Sequence, residues 1–301
     1  MKGLLLLLSG ANQSLLVSDW AARSMTDQDR RLRTQDGCSL SPDSSADGQL
    51  RHGIRVERDP AGYAVLTIDR PDALNALSRA LRQELATQVA ALERDPTIHV
   101  LIVTANGKIF TAGLDLAEWR EGEVAAGAFD DDPVRALQGF SGPVIGAING
   151  PAITGGFEIA VSCDLLIASE RASFTDTHVR VGLLPGWGLS VRLPRLIGLQ
   201  RAKQMAFTAT PLTAQRALEW GLVSEVVAHD QLLTVARERA TQMLAGDRTT
   251  LKAYKLLLND GAAVDLSTAL AHERERAQQH NAGVSRSDVL SKLQTMKSRR
   301  I

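Results

Sequence analysis

Residues 144–158 read VIGAINGPAITGGFE, and this stretch decides the fold. Its first part, Val144–Ile148, is an apolar run that is typical of a strand covered on both faces. The Asn-Gly-Pro sequence at 149–151 ends the run, because these residues favour turns. The Gly-Gly pair that starts at Gly155 then opens a helix, and Glu158 lies one turn into it. The stretch therefore predicts a buried strand, a tight connection and a helix.

A second predicted strand is followed by a similar turn. Residues 98–104 (IHVLIVT) form another apolar run, and residues 107–116 (GKIFTAGLDL) come after it. Small residues at such turns let a ligand approach the backbone closely. Two backbone N–H groups that converge on one oxygen form an oxyanion hole. Gly155 adds the positive end of a helix dipole, so we expect one N–H from each turn to meet there, with Glu158 facing the same space.

The flanking sequence continues the alternation of strands and helices. Residues 63–68 predict a strand, and Ser78 is placed to cap a helix that continues to about Arg94. The apolar face of this helix is formed by Leu81, Leu85, Val89 and Leu92. Residues 164–168 predict a further strand. The alternation indicates an α/β domain with a largely parallel core.

Beyond about Leu199 the sequence is helical almost throughout. The expected helices span 200–209, 213–220, 231–244, 249–259 and 266–280, with one strand candidate at 222–227. Several of these helices carry apolar stripes that a single core would not cover fully. We therefore expect the chain to associate with other subunits.

Charge and composition exclude several classes of function. The chain has 301 residues, and its 34 Lys and Arg residues balance 34 Asp and Glu residues. A nucleic-acid-binding protein needs a basic field, so this balance argues against one. With only two cysteines, Cys38 and Cys163, a disulfide scaffold and a zinc site built on several thiolates are excluded. The histidines show no metal-ligand spacing, so no metal is expected.

Residues 1–52 differ from the rest of the chain. They are rich in polar residues and have almost no periodic apolar pattern after residue 25, so we expect a poorly ordered extension. The apolar run at 4–8 is too short to span a bilayer, and no membrane association is expected. The expected location is the cytoplasm. A weak signal peptide and a mitochondrial presequence are the alternatives.

Four motifs in order give the sequence a family resemblance. They are RPDALNAL at 70–77, the segment at 107–116, the segment at 149–158, and GLLPG at 182–186. From Ile54 to its C-terminal helices the chain resembles the enoyl-CoA hydratase/isomerase (crotonase) superfamily. The resemblance implies an α/β fold built as a spiral of ββα units, with a C-terminal helical region that serves trimerisation. The expected division is an extension at 1–52, an acyl-CoA-binding core at 53–245 and the helical region at 246–301.

The resemblance also implies a substrate and a set of site residues. Superfamily members bind acyl-CoA thioesters and hold the thioester carbonyl with two backbone N–H groups, which by position would be those of Ala112 and Gly155. The coenzyme A pocket would involve Ala73, Leu74, Ala112, Asp115 and Leu116. Coenzyme A is part of the substrate, so no separate cofactor is implied. The implied assembly is a homotrimer or a dimer of trimers.

The sequence departs from the superfamily pattern at the second catalytic acid. The hydratases use two glutamates, of which one matches Glu158, whereas His178 in the segment 173–180 (SFTDTHVR) takes the place of the other. Hydration needs a base for the water and an acid that protonates C2. Either Glu158 serves both steps, or His178 contributes because imidazole titrates near neutral pH, or His178 only lines the pocket. Asp176, two residues away, is expected to point elsewhere.

The leading hypothesis is therefore an enoyl-CoA hydratase of fatty-acid or related acyl-CoA metabolism. The alternatives are an enoyl-CoA isomerase or another enzyme of the superfamily, and a protein that binds acyl-CoA without turning it over. The acyl chain length would depend on the segment 119–140.

Overall fold

The computed structural model describes residues 53–115, 118 and 132–298, with the side chains of 295–298 left out. The expected extension at 1–52 lies outside the described residues. So do Leu116, which the resemblance places in the coenzyme A pocket, and most of the segment 119–140.

A sheet of six strands forms the centre of the fold, in the order β1-β2-β3-β4-β6-β9. Its strands are β1 (Ile54–Asp59), β2 (Tyr63–Ile68), β3 (Val100–Ala105), β4 (Val144–Ile148), β6 (Leu165–Ser169) and β9 (Glu225–Val227). β1 pairs antiparallel with β2, and the other pairings are parallel. The predicted parallel core is confirmed.

Short strands form a second layer. β5 (Ala152–Ile153), β7 (Ser173–Thr175) and β8 (Leu212–Thr213) make a three-stranded sheet. Two isolated parallel bridges, Leu77 to Leu114 and Thr111 to Ala152, add to this layer. In the central sheet, β3, β4 and β6 are each followed by a short strand or bridge of the second layer and then by a helix. This order matches the expected ββα units and confirms the fold class.

Eleven α-helices are present in the described part of the chain. They are α1 (Arg79–Arg94), α2 (Pro133–Gly139), α3 (Gly155–Ser162), α4 (His178–Val181), α5 (Leu189–Ile197), α6 (Leu199–Thr208), α7 (Ala214–Glu219), α8 (Leu232–Leu244), α9 (Arg248–Gly261), α10 (Leu266–Ala282) and α11 (Arg286–Ser298). Ser78 caps α1 as predicted, since its side chain accepts the N–H of Leu81. The helices predicted beyond Leu199 are confirmed within one or two residues at each end.

The central sheet is covered on both faces, which explains its continuous apolar strands. Leu101 and Val103 of β3 pack into a core that includes the apolar face of α1. Val100 and Ile102 point to the opposite face, where α8 covers them. The buried face of α1 is formed by the predicted residues Leu81, Leu85, Val89 and Leu92, together with the stem of Arg82.

Several elements were not predicted from the sequence, among them β1, α5 and α11. β1 alternates charged and apolar residues at a sheet edge, so no apolar run marks it. α5 contains Pro194 in its interior, which is a helix-breaking signal in sequence, yet its apolar face at Leu189, Leu193 and Ile197 is buried. α11 follows the last helix predicted.

The C-terminal helices pack on each other and leave apolar side chains on the surface of the single chain. Neither α9 nor α10 contains a buried residue. Tyr254, Leu258 and Leu266 are 60%, 60% and 76% exposed. Lys255 anchors α9 to the domain, because its Nζ donates to the carbonyl oxygens of Phe140 and Gly142 at 2.9 and 2.7 Å. Among the described residues, no helix is long and apolar enough to cross a membrane.

Candidate active site

The two glycine-containing turns meet where the first and second layers adjoin. Gly113 has a φ of +89°, and a Cβ added to it would lie 3.3 Å from the backbone nitrogen of Gly155 and 3.0 Å from the carbonyl oxygen of Ile153. A side chain would therefore be strained and crowded at 113. Gly155 is equally confined, since a Cβ there would lie 2.9 Å from Cζ3 of Trp187. The expected approach of the two turns is confirmed.

The backbone N–H of Ala112 is not available to a ligand. It donates to the carbonyl oxygen of Leu74 at 3.1 Å. This bond joins the segment 107–116 to the segment 70–77 and is part of the scaffold. The expectation that Ala112 supplies one of the two oxyanion donors is therefore not met in this structure.

Leu114, two residues further on in the same turn, differs from Ala112 in the direction of its N–H group. Leu77 donates to Gly113 at 2.8 Å and accepts from Asp115 at 3.4 Å, which defines a parallel bridge centred on Leu114. In such a bridge the N–H of the central residue points away from the partner strand. No acceptor for this N–H, nor for that of Gly155 at the start of α3, is found in the part of the chain that the structure describes.

Glu158 is buried in the first turn of α3 and is 3% exposed. Its Oε1 accepts the backbone N–H of Trp187 at 2.8 Å and that of Leu189 at 3.3 Å. Its Oε2 lies 3.8 Å from Nε2 of His178. One oxygen is thus fixed by the backbone, while the other faces the imidazole. The structure thus brings Glu158 and His178 together.

Burial raises the pKa of Glu158 above its ordinary value, and this effect outweighs the two backbone N–H groups and His178, which favour the ionised form. Asp176 raises the pKa further through charge repulsion. A general base works best when its pKa lies near the working pH. The environment of Glu158 therefore suits it to accept and return a proton.

The prediction that Asp176 points away from His178 is wrong. Its Oδ1 lies 2.7 Å from Nδ1 of His178 and also accepts the backbone N–H of His178 at 3.1 Å. The chain turns at Thr177, which precedes α4, so residues 176 and 178 fold back on each other. An Asp two residues before a turn N–H is a common signal for this Asx turn, and it could have been recognised in the sequence.

Threonine contacts tie the two halves of the site together. The N–H of Thr154, just before α3, donates to the carbonyl oxygen of Thr175 at 2.8 Å. The hydroxyl of Thr154 is hydrogen-bonded to that of Thr177 and accepts the N–H of Thr177 at 3.3 Å. These bonds fix the start of α3, with Gly155 and Glu158, relative to the segment that carries His178.

The residues that the resemblance assigns to coenzyme A lie on two adjoining segments. Ala73 and Leu74 are half-buried in the turn after β2, and Leu74 contacts Ala112 through the bond described above. Asp115 lies 3.6 Å from the guanidinium of Arg70, on the same turn as Ala73. The structure thus places these four residues on the two segments that the Ala112–Leu74 bond joins, and their role in binding coenzyme A stays a prediction.

Comparisons with known proteins show the family to which the chain is similar. Residues 58–291 match the family model described as enoyl-CoA hydratase/isomerase. The chain is 40% identical over 236 residues to a probable peroxisomal enoyl-CoA hydratase 1 of Arabidopsis thaliana, covering 77% of this chain and 88% of the relative. It is also 40% identical over 217 residues to a short-chain-enoyl-CoA hydratase of Clostridium acetobutylicum, covering 70% of this chain and 83% of the relative.

Solved structures show the same fold. The enoyl-CoA hydratase of Bacillus anthracis superposes with a TM-score of 0.76 at 32% identity, covering 82% of this chain and 97% of that structure. The enoyl-CoA hydratase of Mycobacterium tuberculosis H37Rv superposes with a TM-score of 0.62 at 39% identity, covering 82% and 99%.

Proposed function

Because the chain belongs to the enoyl-CoA hydratase/isomerase family, we propose that it is an enoyl-CoA hydratase, which adds water to the double bond of a trans-2-enoyl-CoA. The observation that carries this proposal is the position of Glu158. Its buried carboxylate is held by two backbone N–H groups, faces His178 and lies on the helix that begins at Gly155. The names of the relatives from Arabidopsis thaliana and Clostridium acetobutylicum support the same activity.

The backbone supplies the electrostatic part of catalysis. The N–H groups of Leu114 and Gly155 bind the thioester oxygen, on which negative charge develops when water adds at C3. The dipole of α3 favours that charge at its N-terminus. Both N–H groups are fixed by the second layer before substrate binds, so little reorganisation is needed in the transition state.

Glu158 and His178 move the protons. Glu158 takes a proton from the water as the water oxygen bonds to C3, and the electron pair of the double bond shifts toward the thioester oxygen. Protonated His178 then gives the proton on Nε2 to C2, which completes the 3-hydroxyacyl-CoA. The proton held by Glu158 returns to His178 across the gap of 3.8 Å between their facing atoms, so the pair is restored.

Incubation of the purified protein with crotonyl-CoA tests the proposed function. We expect the absorbance of the conjugated thioester to fall and 3-hydroxybutyryl-CoA to form, as identified by mass spectrometry. A second substrate, trans-2-hexenoyl-CoA, makes isomerisation visible, because movement of its double bond would give a 3-hexenoyl-CoA. Formation of that isomer alone, release of free coenzyme A, or binding without turnover would each contradict the proposal.

The apolar surface of the C-terminal helices supports a homotrimer or a dimer of trimers. The apolar side chains of Tyr254, Leu258 and Leu266 are largely exposed in the single chain, and exposed apolar surface is typical of contacts between subunits. In sedimentation velocity at micromolar concentration, we expect a species of three or six chains. Replacing Leu258 and Leu266 by lysine is expected to shift the protein to smaller species, whereas a wild-type protein with the mass of one chain would contradict the assembly.

The raised pKa of Glu158 predicts a stability difference that depends on pH. A carboxyl group whose pKa is higher in the folded than in the unfolded state destabilises the fold as pH rises through these values. Glu158→Gln removes the buried charge and keeps an oxygen for the N–H groups of Trp187 and Leu189. Its Tm is therefore expected to exceed that of the wild type at pH 8 and to match it near pH 4.

The exposed carboxylate of Glu219 provides a matched control for this measurement. Glu219→Gln also removes one negative charge but lies at the end of α7 on the surface, so its Tm is expected to follow the wild type at both pH values. An equal Tm for Glu158→Gln and the wild type at pH 8 would show that the buried carboxylate does not destabilise the fold.

A further inference from the structure

One carboxylate oxygen holds His178 at two points. Oδ1 of Asp176 accepts the backbone N–H of His178 at 3.1 Å and lies 2.7 Å from its Nδ1. Asp176 and His178 are only 5% and 7% exposed. Water therefore competes little for either group, and the imidazole has one defined orientation.

The donor in this contact follows from the chemistry of the carboxylate. An ionised carboxylate can only accept hydrogen bonds, so Nδ1 of His178 carries the hydrogen. In the neutral ring this leaves Nε2 as the free base, and in the charged ring it makes Nε2 a donor. Nε2 is the nitrogen that lies 3.8 Å from Oε2 of Glu158. Asp176 thus selects which nitrogen exchanges protons within the site.

We propose that Asp176 is a positioning residue for the hydration reaction, because it fixes the ring of His178 with Nδ1 protonated and Nε2 directed at Glu158 and the substrate. This inference rests on the proposed function, since it concerns the proton donor of that reaction. It assigns His178 as the proton donor in place of the missing second glutamate. Asp176, His178 and Glu158 then act as one chain of groups.

Charge balance supports this arrangement. An imidazolium at 178 would lie between two carboxylates, those of Asp176 and Glu158. Among the described residues, Arg192 also lies near this cluster, and its guanidinium donates to the carbonyl oxygen of Trp187 at 2.8 Å. Burial lowers the pKa of Arg192, and the charges of Asp132 and Glu158 oppose that shift. Asp176 therefore offsets the positive charge on His178 on the side away from Glu158. Glu158 remains free to exchange its own proton.

The tautomer can be read directly by nitrogen-15 NMR of histidine-labelled protein, with His178 assigned by its absence in His178→Gln. At a pH where the ring is neutral, the wild type is expected to show a protonated Nδ1 and an unprotonated Nε2. A neutral ring with its hydrogen on Nε2 would overturn the inference. This measurement needs no turnover, so it is independent of the proposed function.

Kinetics provide the second readout. Asp176→Asn keeps the shape but lets its amide donate to Nδ1, which reverses the tautomer. We expect kcat for crotonyl-CoA to fall about 10–100-fold, the range found for groups that orient a functional histidine, with KM within about twofold of the wild type. Asp176→Glu, which restores a carboxylate, should recover part of the kcat that Asp176→Ala loses.

These outcomes separate the inference from the proposed function. A wild-type protein that hydrates crotonyl-CoA while folded Asp176→Asn is equally fast would overturn the role of Asp176 alone. If the Asp176 variants lose Tm but keep the wild-type kcat per folded molecule, the role of Asp176 in the reaction is also overturned, because such a result shows a merely structural role. A wild-type protein with Nδ1 protonated that hydrates no enoyl-CoA would instead refute the proposed function.

Discussion

Replacing Glu158 by glutamine is expected to lower kcat for hydration by about 10²–10⁴-fold, the usual contribution of a general acid or base. The glutamine oxygen can still accept the N–H groups of Trp187 and Leu189, so the shape of the site is kept. The side chain can no longer accept a proton from water. Stopped assays with crotonyl-CoA and a binding titration with a saturated acyl-CoA should show lost turnover with nearly unchanged affinity.

Glu219→Gln is the control for this variant too, because it removes a surface carboxylate far from the proposed chemistry and is expected to keep the wild-type kcat. A folded Glu158→Gln protein that retains more than a tenth of the wild-type kcat would contradict the assignment of Glu158 as the base. A parallel loss of acyl-CoA affinity would indicate that Glu158 serves binding and not proton transfer.

Leu114→Pro is expected to lower kcat by about 10²–10³-fold, the cost of removing one donor from an oxyanion hole. Proline lacks the N–H group, and within the described residues that N–H of Leu114 makes no bond that the fold would lose. The isotope-edited infrared stretch of the thioester carbonyl in a bound enoyl-CoA gives a direct readout. Its shift to lower frequency on binding should shrink in the variant.

Ala112→Pro distinguishes the two turn residues. It removes the bond from Ala112 to Leu74, so it should lower Tm more than Leu114→Pro does. If Leu114→Pro folds and keeps both the wild-type kcat and the carbonyl shift, Leu114 is not a donor to the substrate.

The sequence predicted the local elements of the site and missed the contacts that depend on distant segments. Val144–Ile148, the helix from Gly155 and the place of Glu158 follow from apolar runs, turn residues and caps, which are all local signals. The choice between Ala112 and Leu114 depends on a bridge to Leu77, a residue in another segment. Periodicity within residues 107–116 carries no information on that register.

The pairing of Asp176 with His178 was missed for a different reason. Asp176 and His178 are two residues apart along the chain, and this spacing alone does not show whether the backbone turns between them. The structure ends β7 at Thr175 and begins α4 at His178, so the backbone turns between the two residues. Asp176 itself makes that turn favourable by accepting the N–H of His178.

In the proposed reaction Glu158 and His178 act together, and a double-mutant cycle tests this directly. We would measure kcat/KM with crotonyl-CoA for the wild type, Glu158→Gln, His178→Gln and the double variant. Residues that act as a unit are strongly non-additive, so each single variant should lose about 10²–10⁴-fold and the double variant should be no more than a few-fold worse than the slower single variant. A His178→Gln protein near the wild-type rate, or losses that multiply in the double variant, would contradict a shared proton-transfer pair.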